Sequence, residues 1–235
     1  GTGELMTKCL AAAAISVALA AAAPVSAQSG WVSLFDGKDI STHWRGFKQP
    51  GMPAGWEIVD GTITWTGAGR PTGRPVDSDL VSLEQYANFE LEWEWKLPPG
   101  GNSGIMFRVS ENLEATYHSG PEYQLLDNAR HPDGKDPRTS TGANYAIQAP
   151  PHDMSKPIGE WNQSKLVVNG AHVEHWLNGM KVVEYELWTP EWTALVKKSK
   201  FNQWPAYGMN KSGHIVIQEH GARVQYRNVR VRRLQ

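Results

Sequence analysis

Between residues 89 and 97 the chain alternates without a break: Phe89, Leu91, Trp93, Trp95 and Leu97 are apolar, while Glu90, Glu92, Glu94 and Lys96 are charged. A strand sends successive side chains to opposite faces, so this stretch makes one dry face and one wet face only as a strand. The same period of two recurs along the chain, interrupted by Asp60-Gly61, Asn169-Gly170 and Asn178-Gly179, dipeptides suited to tight hairpins that need positive φ. Residues 165–187 therefore read as three antiparallel strands in a meander. Further strands are expected at 56–59, 62–66, 80–82, 104–109, 122–126, 144–148, 214–218 and 226–231. No stretch has the pattern of an amphipathic helix of three turns, though 128–142 and 188–211 have room for a helical turn or two. Many short strands, Gly and Pro punctuation and no helical layer imply an all-β fold of two packed antiparallel sheets.

The first residues have a different character. Met6-Thr7-Lys8 makes a short basic start, an Ala-rich apolar run covers 9–23, and Pro24-Val25-Ser26-Ala27 ends in small residues. This is the pattern of a secretory signal peptide cleaved after Ala27, since about 15 apolar residues fall short of the ~20 needed to span a bilayer. The expected product is one all-β domain, 28–235, with no membrane anchor after cleavage. Cys9 is the sole cysteine and departs with the leader, so the mature chain has no disulfide and no thiolate metal site. Export without disulfides points to a periplasmic or secreted protein. A net charge of −1 and short basic patches only (Lys197-Lys198, Arg230 to Arg233) give no footprint for nucleic acid. Eleven tryptophans are the compositional oddity. Core packing should claim more than half of them, leaving two or three as platforms for sugar rings.

Parity along three strands points to a site. In 104–109, Ile105, Phe107 and Val109 share one face, with Met106 and Arg108 opposite; in 122–126, Glu122 and Gln124 share a face; and His214, Val216, Gln218 and His220 share another. Taken singly, each polar face reads as solvated. Taken together, Arg, Glu, Gln and His are hydrogen-bonding and acid/base types rather than idle surface. The turn Gly100-Gly101-Asn102-Ser103-Gly104 lets backbone approach a ligand, or is simply a hairpin loop. Trp161 is a core anchor or a stacking platform. Asp127, Asn128, His131, Asp133 and Asp136 hold enough oxygen donors for a divalent cation such as calcium, with Asp127 and Asp133 as candidate ligands. Their spacing is not that of an EF-hand, and a polar surface loop accounts for them equally. No HExxH, P-loop, dinucleotide-binding or nucleophile-elbow motif is present.

WVSLFDGKDISTHWRG at 31–46, GNSGIMFR, GPEYQLLDN, EWN, WLNG, and IQEHG followed by YRNVRVR together resemble the 3-keto-disaccharide hydrolase domain family, from residue 31 to 234. The resemblance implies a concanavalin A-like jelly-roll sandwich of two antiparallel sheets, its concave face holding a carbohydrate. It also implies cleavage of 3-keto-glycosides. A ketone at C3 acidifies the C2 proton, a base removes it, the enolate expels the C1 aglycone, and water adds to the resulting glucal. A sugar 3-oxidoreductase would have to supply such a substrate.

Carried onto this chain, the resemblance makes Arg108, Glu122, Gln124, Asp127 and His220 site residues, with Asn102, His131 and Gln218 beside them. His220 or Glu122 is the base, and Arg108 stabilises the enolate or binds a hydroxyl. Gln124 and Gln218 bind sugar hydroxyls, and Asp127 orients a partner or ligates a metal. Asn102, His131 and Trp161 complete the substrate-binding set. Two other readings compete: a noncatalytic, lectin-like carbohydrate-binding module, and a laminarinase-like glycoside hydrolase, whose E-x-D-x-x-E-like strand GPEYQLLDN does not match.

Overall fold

The computed structural model describes residues 30–70 and 73–235; the expected signal peptide lies outside the described residues. The alternating stretch is strand β6 (Phe89–Lys96), at the centre of the larger of two antiparallel sheets. Around it that sheet holds β1 (Trp31–Ser33), β3 (Trp56–Val59), β4 (Thr62–Trp65), β9 (Asn162–Asn169), β10 (His172–Leu177), β11 (Met180–Glu186) and β13 (Gln225–Arg233). Its order is β11-β10-β9-β6-β13-β4-β3, with β1 also paired to β13. The second sheet runs β2-β5-β12-β7-β8, from β2 (Trp44–Gly46), β5 (Leu80–Tyr86), β7 (Asn102–Val109), β8 (Glu122–Leu126) and β12 (Gly213–Ile217). This is the expected all-β jelly-roll sandwich.

The odd residues of β6 pack inward against Ile105 and Phe107 of β7, Tyr123 and Leu125 of β8, and Ile215 and Ile217 of β12. Trp93 and Tyr123 meet edge to face across the sheets, ring centroids 5.0 Å apart. Buried hydroxyls tie the layers together: Ser103 Oγ and Tyr226 Oη lie 2.7 Å apart, and Tyr123 Oη lies 2.9 Å from Ser164 Oγ. Six of the eleven tryptophans are buried in this core: Trp44, Trp56, Trp65, Trp93, Trp95 and Trp192. The even residues of β6 face outward, where Glu90, Glu92 and Glu94 pair with Arg232, Arg230 and Arg227 of β13.

Two local expectations change. Residues 144–148 form a turn rather than a strand, held by single bridges from Asn144 to Tyr123 and to Gln148. The β9–β10 hairpin turns one residue later than its sequence suggests, with Asn169 and His172 paired and the positive φ at Gly170 alone. The hairpins at Asp60-Gly61 and Asn178-Gly179 do take positive φ at both residues.

The segment after β11 carries a two-turn helix, α1 (Pro190–Lys197), whose start is capped by Thr189 Oγ1 accepting from Trp192 N. A column of rings, Tyr185, Trp192, Tyr207 and Phe201, stacks successively at 5.5, 6.0 and 4.0 Å and fixes this segment to β11 of the larger sheet. No helix among the described residues is long and apolar enough to cross a membrane.

Candidate active site

The outward face of the smaller sheet builds the site. On β7 and β8 the register pairs Gly104 with Gln124 and Met106 with Glu122. Just beyond β12, Gln218 N donates to Gly104 O at 2.9 Å. Gly104 is thus flanked by two glutamines, and its missing side chain leaves room for the Glu122 carboxyl above it. Phe47, Val76, Val81, Met106 and Val216 form a small apolar cluster on this same side.

A cavity of about 470 Å³ opens over these residues. Asn102, Glu122, Gln124, Gln218 and Glu219 line it from the sheet, with Asp79 from the entry to β5. Tyr145, Lys200, Phe201 and Trp204 come from the two long irregular segments, and Tyr117, Arg74 and His220 are also on its walls. Trp204 is fixed by a stacked His118 at 4.5 Å and by Tyr117, edge on at 5.3 Å, so the three rings make one aromatic wall.

The carboxyls here are strongly perturbed. Burial pushes the Glu122 pKa up to about 8; the charges of Asp79 and Asp133 add to the rise and Lys200 opposes it. Asp79 is also driven up to about 8 by burial, although Oδ1 accepts from Glu219 N at 2.8 Å and Oδ2 from Thr116 Oγ1 at 2.7 Å. Burial likewise raises Glu219, outweighing Gly221 N, which donates to its Oε1, and Arg70, whose Nη2 lies 3.4 Å from Oε2. That approach is close enough for ion pairing but does not have hydrogen-bond geometry, and Glu219 Oε2 is left without a hydrogen bond.

Five buried oxygens around this one cavity lack hydrogen bonds: Asn102 Oδ1, Glu122 Oε1, Gln124 Oε1, Gln218 Oε1 and Glu219 Oε2. An orphaned buried acceptor costs about 1–3 kcal/mol, so such a concentration marks groups held ready for a ligand's donors. For Gln124 the amide orientation is fixed, because Nε2 donates to Thr139 O at 3.1 Å. A polyhydroxylated ligand supplies the missing O–H donors.

Of the residues expected in the site, Asn102, Glu122, Gln124, Gln218 and His220 line the cavity together. His131 stands behind them: its ring faces His220 at 6.5 Å, its Nε2 lies 3.4 Å from Asn102 Nδ2, and its Nδ1 accepts from Asp133 N. Arg108 is not brought to the cavity. A bulge in β7 gives it φ +52°, shifts the register against β12, and turns the guanidinium to the carbonyls of Ala87 and Gly170. Asp127 is buried at the loop entry, where Oδ2 accepts from Gly100 N and Arg130 Nη1, and Oδ1 from Ala129 N. Burial works to raise its pKa, but these donors hold it below the usual carboxylate value. Asp133 neither lines the cavity nor converges with Asp127. Among the described residues, the side chains close enough to share an ion are His172, Glu174 and Glu184, on the larger sheet. Trp161 immediately precedes β9 of that sheet, its ring between Lys96 at 5.0 Å and Arg227 at 3.9 Å.

Sequence reasoning missed Asp79, Glu219, Tyr117, Tyr145, Lys200 and Trp204. Glu219 had a visible signal in IQEHG, but parity from β12 sends it away from the cavity; the strand in fact ends at Ile217, and the turn brings it back. Tyr145 lies in the expected strand 144–148, which folds as a turn instead, and the others lie outside any periodic stretch.

The model of the 3-keto-α-glucoside-1,2-lyase-like domain matches residues 30–232. A 3-keto-disaccharide hydrolase of Bacteroides thetaiotaomicron is 40% identical over 233 residues, covering 89% of this chain and 80% of that protein. A crystallised Parabacteroides distasonis protein, provisionally assigned as a glycosyl hydrolase, superposes with a TM-score of 0.81 at 33% identity, covering 92% of this chain and 99% of that one. A non-specific endo-β-1,3(4)-glucanase of family GH16 superposes at 0.52 with 11% identity, covering 87% and 95% of the two chains, which shows the shared fold alone.

Proposed function

From the premise that the chain belongs to the 3-keto-α-glucoside-1,2-lyase-like domain family and is a glycosidase-type carbohydrate hydrolase, we propose that it cleaves 3-keto-glycosides by elimination and rehydration, with Glu122 as the base. The observation that carries this reading is the Glu122 carboxyl, 3% exposed, its Oε1 unpartnered beside the cavity and its pKa pushed up to about 8. A carboxylate poised near working pH suits removal of a proton acidified by a neighbouring ketone. Glu122 takes the C2 hydrogen, the electron pair moves into the C3 carbonyl, and the enolate collapses to expel the C1 oxygen with its aglycone. Water then adds at C1 of the 3-keto-glucal as a proton returns to C2. Gln124, Gln218 and Asn102 accept from the remaining hydroxyls. His220, exposed at the rim, stands where the leaving oxygen can reach a proton donor.

A second reading has one observation in its favour: Glu122 and Glu219 both carry oxygens without a hydrogen bond at one cavity, as in a two-carboxylate glycosidase. Glu219, however, already accepts from Gly221 N and lies 3.4 Å from Arg70 Nη2, so it is held by the protein rather than offered as the second member of such a pair. The leader pattern supports export to the periplasm or beyond, and a sugar 3-oxidoreductase would supply the ketone. Incubation with a 3-keto-glucoside and with its unoxidised parent tests the proposal. Release of aglycone from the ketone alone is expected. Release from neither leaves a lectin-like binding module, and release from both removes the ketone requirement.

A further inference from the structure

The acceptor-rich floor poses a problem for the proposed substrate. A ketone oxygen accepts hydrogen bonds and cannot donate. It finds no partner in Gln124 Oε1, whose orientation is fixed, or in a Glu122 carboxylate acting as base. The carbonyl therefore has to meet donors elsewhere on the cavity wall. C2 and the C3 oxygen are separated by only two bonds, so those donors must also stand beside the base.

Resting on the proposed reaction, we infer that Tyr145 and Lys200 form the carbonyl-binding pair that stabilises the enolate oxygen. Tyr145 N donates to Glu122 O at 2.9 Å, which fixes this residue next to the base. Lys200 Nζ donates to Tyr145 Oη at 2.8 Å and lies over the Tyr145 ring, 4.4 Å from its centroid. By accepting from the ammonium, the phenol oxygen leaves its own proton free to point into the cavity. Burial holds the Tyr145 pKa above its ordinary value, with Glu122 and Asp133 adding to the rise, so the phenol stays a donor. Lys200 supplies the positive charge that an enolate needs and retains further N–H donors. Among the other donors on the wall, Arg74 is tied to Asp77 Oδ1 and Glu114 O, and Asn102 Nδ2 lies 3.4 Å from His131 Nε2.

The electron bookkeeping closes without an added reagent. As Glu122 takes the C2 proton, the C2–H electron pair becomes the C2=C3 bond and the carbonyl pair moves onto oxygen, where Tyr145 O–H and Lys200 N–H hold it. Re-formation of the C3 carbonyl then drives out the C1 substituent.

The test follows hydrogen exchange at C2 of free 3-keto-glucose in D2O, a reaction that needs the enolate but no leaving group, alongside kcat and KM for a 3-keto-glucoside. Tyr145→Phe keeps the backbone bond to Glu122, and Lys200→Met alters an exposed side chain, so both variants should fold. Each is expected to lower kcat and the exchange rate about 10²-fold or more with KM little changed, the loss typical of one oxyanion donor. Lys200→Arg should recover part of it. If both variants keep kcat and exchange within about threefold while Glu122→Gln is inactive, the pair is not the carbonyl site although the proposed reaction stands. If the unmodified protein neither exchanges C2 nor cleaves the ketone, the reaction and this inference fall together.

Discussion

The Glu122 carboxyl lies over the α-carbon of Gly104, in space that any side chain at 104 would fill: a β-carbon there would come 2.8 Å from Glu122 Cδ and 2.9 Å from its Cγ. The glycine is therefore part of how the base is placed. Gly104→Ala should leave the fold intact, because β7 continues on either side, yet displace the carboxyl. A misplacement of about 1 Å costs on the order of 10²-fold. Turnover of a 3-keto-glucoside by Gly104→Ala, compared with the unmodified protein at equal circular dichroism, checks this.

Burial sets the pH at which the base works. Glu122 must be ionised to accept a proton and titrates at about 8. In kcat/KM the free-enzyme limb should therefore rise with pH and level off above about 8, rather than near 4.5 as for an exposed glutamate. Glu122→Gln should abolish turnover and the limb together.

The same shift has a consequence for stability. Folding raises the Glu122 pKa above its ordinary value of 4.5, so between about 4.5 and 8 the folded chain holds more protons than the unfolded one. This group consequently destabilises the fold increasingly as pH rises through that window. Glu122→Gln removes the burden, and its melting temperature relative to the unmodified protein should climb from pH 5 to pH 8. A constant difference would show that Glu122 is not desolvated.

Arg108 separates structural from catalytic roles. Its guanidinium is buried and donates to Ala87 O through Nε and Nη2 and to Gly170 O through Nη1. It thereby braces the β5–β6 and β9–β10 turns. Arg108→Met orphans those carbonyls and should cost about 3 kcal/mol of stability. At low temperature, where the variant stays folded, kcat/KM should match that of the unmodified protein; a selective loss of kcat would return Arg108 to the chemistry.

The aromatic wall should act on binding rather than on chemistry. Trp204, backed by His118 and flanked by Tyr117, offers a flat apolar face at the cavity. Trp204→Ala should raise KM about 2- to 10-fold for a glycoside with an aromatic aglycone, the equivalent of about 0.5–1.5 kcal/mol of ring contact, with kcat nearly unchanged.

What could be read in the chain follows from where period two holds. β8 is regular, so the shared face of Glu122 and Gln124 was visible in five residues, and β6 gave the core of the larger sheet. β7 breaks the rule at Arg108: parity is lost where φ turns positive, and Val109 joins Met106 on the outer face. Bulges leave no signature when the residue is not glycine. The constraint sits on the neighbouring strand instead, where a side chain at Gly213 would overlap the backbone of Arg108. Tyr145, in a run that reads as a strand but folds as a turn, and Lys200 and Trp204 were invisible for a different reason. They lie on irregular segments whose position is set by ring stacking and by long-range contact, neither of which has a local period.

The central claim is that the C2 hydrogen leaves the sugar during cleavage. It is tested most directly by running the reaction of a 3-keto-glucoside to low conversion in D2O and measuring deuterium at C2 of the released 3-keto-glucose by mass spectrometry or NMR. A parallel sample of 3-keto-glucose incubated with the same enzyme for the same time corrects for exchange of the released product. Elimination followed by rehydration predicts one deuterium at C2 for every molecule of aglycone released. Product that retains its C2 hydrogen would show that the bond to C1 was hydrolysed directly, and would contradict the role given to Glu122.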